Sequence, residues 1–124
     1  MTRGLAGALA RAVLLIGLVG AGAAGAHGLL ERAEPRPGAT VRTAPAAVRV
    51  WFSERVELAY SSVRVFDPAG RQVDGGAAAL DAAGPRVLRV ALPPLAPGRY
   101  VVRWRVLSVD SHVTEGEFSF RIAP

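Results

Sequence analysis

The chain contains no cysteine and no lysine, and its single methionine is Met1. Without cysteine there is no disulfide, no thiolate nucleophile, no iron–sulfur cluster and no zinc site built on sulfur. Without lysine, Schiff-base chemistry and a phosphate-loop lysine are excluded. Soft sulfur ligands are missing from everything after the first residue. Aromatic residues make up only 6% of the chain although 51% counts as hydrophobic, because alanine supplies much of the apolar content. At roughly 100–200 residues per domain, 124 residues make one domain, too short for a two-domain enzyme.

All 15 basic residues are therefore arginines, set against 10 acidic ones for a net charge of +5. That balance invites a nucleic-acid reading, but the distribution opposes it. From position 27 onward 13 arginines face 10 acids, and they alternate with apolar residues, as in Val48-Arg49-Val50 and Arg103-Trp104-Arg105. Solvated strand faces, not a phosphate track, account for such spacing, and no nucleic-acid partner is expected.

Residues 1–26 read as a secretory signal peptide: Arg3 and Arg11, an apolar core from Ala12 to Val19, then small residues at Ala24-Gly25-Ala26. A spanning helix needs about 20 apolar residues, and this core is shorter and interrupted by Gly17, Gly20, Gly22 and Gly25. Cleavage after Ala26 is expected, with Ala21-Gly22-Ala23 as the other small-residue site. The product, residues 27–124, would begin at His27 and be a soluble exported domain of 98 residues, periplasmic in a bacterium.

Downstream, apolar residues recur at every second position: Val48, Val50, Phe52; Val63, Val65; Leu88, Val90, Leu92; Tyr100, Val102, Trp104, Val106; Phe118, Phe120, Ile122. Period 2 marks half-buried strands. Turn clusters separate them, among them Pro35-Arg36-Pro37-Gly38 and Asp67-Pro68-Ala69-Gly70. The Asp74–Ala79 stretch reads as a loop or weak edge strand. The expected fold is all-β, a Greek-key barrel or sandwich of about seven short antiparallel strands.

Two histidines are present. His27 at a free N-terminus would offer its imidazole and its α-amine in one chelate ring. His112 follows Asp110 two residues on, so an extended backbone would put carboxylate and imidazole on one side. Three nitrogens and one oxygen suit Cu(II), with Zn(II) as the competitor. A disordered terminal histidine and a solvated turn carboxylate would explain the same residues without a metal.

Several segments together resemble the CopC family of exported copper-binding proteins: Ala26-His27-Gly28-Leu29-Leu30, Glu34-Pro35-Arg36-Pro37-Gly38-Ala39, Val50-Trp51-Phe52-Ser53-Glu54, the run from Gly98 to His112, and Gly116-Glu117-Phe118-Ser119-Phe120. The resemblance covers residues 27–124 in family order. It implies a cupredoxin-like or immunoglobulin-like β-domain that is not an enzyme and holds one Cu(II) per chain through His27, Asp110 and His112. By the same resemblance Glu54 sits beside the site and orients a ligand or a water. A multi-helix membrane copper transporter is an implied partner, and a monomer is expected. One departure stands out: some family members carry a methionine-rich Cu(I) loop, whereas the corresponding region near Ala77–Leu80 is alanine-rich here. Two other classes compete with a copper carrier: a small copper oxygenase built on an N-terminal histidine, and an immunoglobulin-like interaction module without metal.

Overall fold

Alternating side chains need two apolar layers to bury one face of each strand, and the chain meets that need by splitting into two sheets. The structure, a computed structural model, describes residues 30–124. The expected leader over residues 1–26 and the candidate ligand His27 lie outside the described residues. Eight strands follow in order: β1 (Leu30–Glu34), β2 (Thr40–Val41), β3 (Ala47–Phe52), β4 (Ser62–Phe66), β5 (Ala79–Leu80), β6 (Val87–Ala91), β7 (Gly98–Leu107) and β8 (Val113–Ile122), with one 3-10 turn at Leu58–Tyr60. They form two four-stranded sheets, β1-β3-β6-β5 and β2-β8-β7-β4.

This is a sandwich, so the barrel alternative is set aside: edge strands remain in both sheets. The strand count is eight, and one pairing is parallel, β2 with β8 (Thr40 beside Arg121, Val41 beside Ile122). Strands β1 and β2 are the additions. Leu30-Glu31-Arg32-Ala33-Glu34 has no period-2 apolar pattern of its own. It is held by its ladder to β3, irregular between Leu30 and Arg32. β5 is the two-residue edge strand foreshadowed by the Gly/Ala-rich stretch.

The inward rows of β3, β4, β6, β7 and β8 are buried as their alternation requires, with Val48, Val50, Val65, Leu88, Val90, Val102 and Val106 fully covered. Two aromatic pairs fill the core, the first between the two sheets and the second across β7 and β8 within one sheet. Phe52 meets Trp104 edge-to-face with centroids 5.5 Å apart, and Tyr100 stacks on Phe120 at 5.6 Å; each pair adds about 0.5–1.5 kcal/mol beyond area burial. Tyr100 stays buried because its hydroxyl donates to the Ala96 carbonyl at 2.6 Å. At the start of β7, Gly98 has φ +154° and a Cβ there would meet Pro68 Cγ at 3.0 Å, so the turn after β4 can pack only on glycine. Among the described residues the buried apolar side chains, from Val48 to Ile122, form one core cluster.

Polar pins close the sheet faces. Arg49 donates to Asp81 Oδ1 at 3.1 Å and Oδ2 at 2.9 Å, and to Glu34 at 3.3 Å. Asp67 accepts the backbone N–H groups of Ala69 and Arg71, each at 2.9 Å. Hydrogen bonds from Arg49, then from the Ala83 N–H, hold the Asp81 carboxyl below its ordinary 3.8. The Arg71 N–H and side chain do the same for Asp67. A carboxyl whose folded pKa is depressed stabilises the fold fully above its unfolded value and loses that contribution as pH falls through the folded value. The urea midpoint is therefore expected to stay flat down to about pH 4 and to drop below it. Asp81→Asn should lower the midpoint at neutral pH and shrink the acid-induced drop; an unchanged acid limb would count against the Arg49–Asp81 pin.

Candidate metal centre

The ladder between β7 and β8 runs ten residue pairs, from Gly98–Ile122 to Leu107–Val113, and ends in the turn that carries Asp110 and His112. Ser108 N–H donates to the His112 carbonyl at 2.9 Å and Ser111 N–H to the Ser108 carbonyl at 3.0 Å. Ser111 takes φ +72°. This is a three-residue hairpin loop whose last residue is left-handed, a position that glycine or asparagine usually fills. The backbone between Asp110 and His112 is thus turned rather than extended. The two side chains meet as the spacing suggested, but a tight loop, not strand alternation, brings them together.

Asp110 Oδ2 stands 3.1 Å from His112 Nδ1, and the His112 N–H lies 3.4 Å from Asp110 Oδ1. The Ser108 hydroxyl donates to Asp110 Oδ1 and also reaches the His112 carbonyl at 3.2 Å. Ser108 is only 1% exposed, the one buried polar residue among those described. The Ser108 hydroxyl first, then the His112 ring, hold the Asp110 carboxyl down to about 2, so it is an anion at every pH where imidazole can be neutral. The two side chains are open to solvent, His112 at 80% and Asp110 at 45% exposure.

The loop after β3 flanks this turn. Val56 bridges Ser108, Val109 N–H donates to the Arg55 carbonyl at 3.0 Å, and Glu57 N–H to the Leu107 carbonyl at 2.8 Å. Half-buried Glu54, two residues beyond Phe52, thereby lies at the same end of the sandwich as the Asp110 carboxylate. The same end of the sandwich receives the start of β1, where Leu30 pairs with Phe52. Among the described residues no cluster of three or more His, Cys, Asp or Glu stands ready to hold an ion. Asp110 and His112 supply an oxygen and a nitrogen donor, the chemistry of a borderline divalent ion.

Ser108 is the residue that the sequence reading passed over. It continues the inward row Tyr100, Val102, Trp104, Val106 by one more step, and that parity was available to mark it as a buried hydroxyl beneath the turn. Ser108→Ala should let the Asp110 midpoint rise from about 2 toward the ordinary carboxylate value. Carbon-13 NMR titration of the Asp110 carboxyl reads this directly, and an unmoved midpoint would show that Ser108 does not set it.

The geometry has relatives. Residues 30–123 match the family model described as the CopC domain. In fold, the chain is similar to the crystal structure of CopC from Methylosinus trichosporium OB3b, with TM-score 0.72 and 40% identity over 77% of this chain and 93% of that one. In sequence it is similar to Protein YobA of Escherichia coli strain K12, 35% identical over 78% of this chain and 79% of the relative. Copper resistance protein C of Xanthomonas campestris pv. juglandis is 28% identical over 89% of this chain and 91% of its own length. A family match across nearly every described residue, on a sandwich of the same shape, means that the chain belongs to the CopC family.

Proposed function

We propose that the exported form, beginning at His27, is a copper-binding protein that holds one Cu(II) through the His27 amine and imidazole, Asp110 and His112. The observation that carries this reading is the exposed Asp110–His112 pair, 3.1 Å apart on a rigid turn. Family membership supports copper as the metal, since a relative is named for copper resistance. The register of β1 supports the third ligand. Leu30 lies opposite Phe52, two residues before Glu54, and the three-residue step from His27 to Leu30 can span about 10 Å. Glu54, beside Asp110, would orient a ligand or a bound water from the flank.

The donor set is all nitrogen and oxygen. With Met1 removed together with the leader, no sulfur remains in residues 27–124, so a methionine-rich Cu(I) site cannot be assembled from this domain's side chains. Reduction with ascorbate should then weaken the hold on copper, because Cu(I) prefers soft ligands. The role is resistance, buffering or delivery, the last to a multi-helix membrane transporter. It is a binding role, and steady oxygen consumption in the presence of copper and ascorbate would speak for an oxygenase instead.

Binding requires loss of a proton from the α-amine, ordinarily near pKa 7.7–8.0, and imidazoles in their neutral form. A Cu(II) competition titration against a calibrated chelator should give one-to-one binding at neutral pH that collapses below about pH 6. One alanine added ahead of His27 removes the amine–imidazole chelate and should cost most of the affinity, as should His112→Ala. If the extended chain bound Cu(II) as tightly as the chain that starts at His27, the proposed ligand set would be wrong.

A further inference from the structure

The two outer faces of the sandwich treat opposed arginines differently. On the β1-β3-β6-β5 sheet, Arg49 stands directly across from Arg89, and the repulsion is offset by Asp81 and Glu34 on Arg49. On the β2-β8-β7-β4 sheet, Arg99 stands directly across from Arg121 and Arg64 directly across from Arg103. Here only Arg103 and Arg105 have acidic partners, Glu117 at 3.0 Å and Glu115 at 3.7 Å. Among the described residues no carboxylate lies within ion-pair distance of Arg64, Arg99 or Arg121. Like charges directly opposed across strands destabilise a sheet; Glu117 on Arg103 offsets one of these pairs, and the Arg99–Arg121 pair has no such offset among the described residues.

The face also has relief. A hollow of about 190 Å³ is lined by Arg99, Arg121, Thr40 and Ser119, two guanidinium forks and two hydroxyls, a donor set matched to a phosphate group. Next to it a hollow of about 320 Å³ shares Arg99, and a third of about 400 Å³ adds Arg64 and Arg105 and shares Arg103 and Phe66 with the second. The basic track thus runs along β7 from its first turn toward the hairpin loop. Toward that far end lie three of the large exposed apolar side chains among the described residues: Val109 and Val113, in and just after the hairpin loop at 53% and 51% exposure, and Tyr60, at 70% in the 3-10 turn whose next residue, Ser61, accepts the Leu107 N–H at 3.1 Å.

From this layout we infer that the outer face of the β2-β8-β7-β4 sheet docks on an anionic phospholipid surface, with Arg99, Arg121 and Arg64 engaging headgroup phosphates. A cationic face bordered by exposed valines and a tyrosine matches a phosphate layer above hydrocarbon. An acidic polypeptide would leave the apolar border without a counterpart, which is why lipid is the occupant chosen. The inference does not rest on copper: the assay is run without metal, in chelator, on the chain starting at His27.

The test is co-sedimentation with vesicles of phosphatidylcholine, alone or mixed with phosphatidylglycerol. Binding is expected only to the mixed vesicles and should be released by about 1 M salt, where the screening length falls to about 3 Å. Arg99→Ala with Arg121→Ala should lower the partition coefficient on the order of 30-fold, about fivefold for each arginine near the surface. The urea midpoint of that double variant should hold or rise, since a like-charge contact has been removed; this separates lost docking from lost folding. Arg86→Ala with Arg89→Ala, outside this sheet, should leave the partition nearly unchanged. No binding to the mixed vesicles would overturn the inference, as would equal losses in the two double variants. So would capture by polyglutamate with the same dependence on Arg99 and Arg121 but no vesicle binding, which would assign the face to an acidic protein.

Discussion

The β7–β8 ladder is the constraint on which the rest of the molecule depends. Its ten residue pairs run unbroken from Gly98–Ile122 to Leu107–Val113, and strand parity along it decides three things at once. One parity sends Tyr100, Val102, Trp104, Val106, Phe120 and Ile122 into the core. The other sends Arg99, Arg103, Arg105 and Arg121 to the outer face. A one-residue slip would exchange every one of these positions. The buried row makes a slip costly, since each large apolar side chain in it contributes about 1.5–3 kcal/mol by burial. Core packing therefore also positions the arginine face and delivers the hairpin loop to one end of the sandwich in a single orientation.

The same parity explains what could be read from the amino-acid order. Strands β3, β4, β6, β7 and the second half of β8 each carry large apolar residues at every second position, so their inward rows were legible, although Val87 is buried beside Leu88 against that alternation. Strand β1 was not, because Glu31, Arg32 and Glu34 interrupt any apolar alternation. Its pairing is imposed by the ladder to β3, a tertiary effect with no local signal. Strand β2 is two residues long and parallel to β8, a pairing that alternation alone cannot announce. Sheet closure is likewise a global property: the same set of amphipathic strands satisfies a barrel or a sandwich, and only the observed pairing order separates them.

For the candidate site, the nearness of Asp110 and His112 was legible and the reason for it was not. Two residues apart on an extended strand and two residues apart on a left-handed turn both bring the side chains together, but only the turn puts the Ser108 hydroxyl beneath the carboxylate. Glu54 carried no local signal in Phe52-Ser53-Glu54-Arg55. It entered through family resemblance, and its place beside Asp110 depends on the bonds that tie Val109 to Arg55 and Glu57 to Leu107. His27 falls outside the described residues, so its part rests on chain reach and family membership.

These facts divide the proposed copper site into a built half and a tethered half. The built half is rigid at low entropic cost: the loop is closed by two backbone hydrogen bonds, Ser111 accepts a left-handed φ, and the Ser108 hydroxyl fixes the carboxylate. A left-handed non-glycine residue costs on the order of 1–2 kcal/mol, and the long ladder behind the loop offsets it. The tethered half is His27, three residues ahead of the first β1 pair in the sequence, close enough along the chain for a high effective concentration at the turn. Of the proposed ligands, Asp110 and His112 are the two whose ordering the fold itself supplies. Asp110 Oδ2 and His112 Nδ1 stand in hydrogen-bonding contact at 3.1 Å. An ion taken up by those two atoms together would replace that contact, so its hold would reflect the difference between the donor set it gains and a hydrogen-bonded pair, whereas an ion taken up through His112 Nε2 would leave the contact in place to orient the ring.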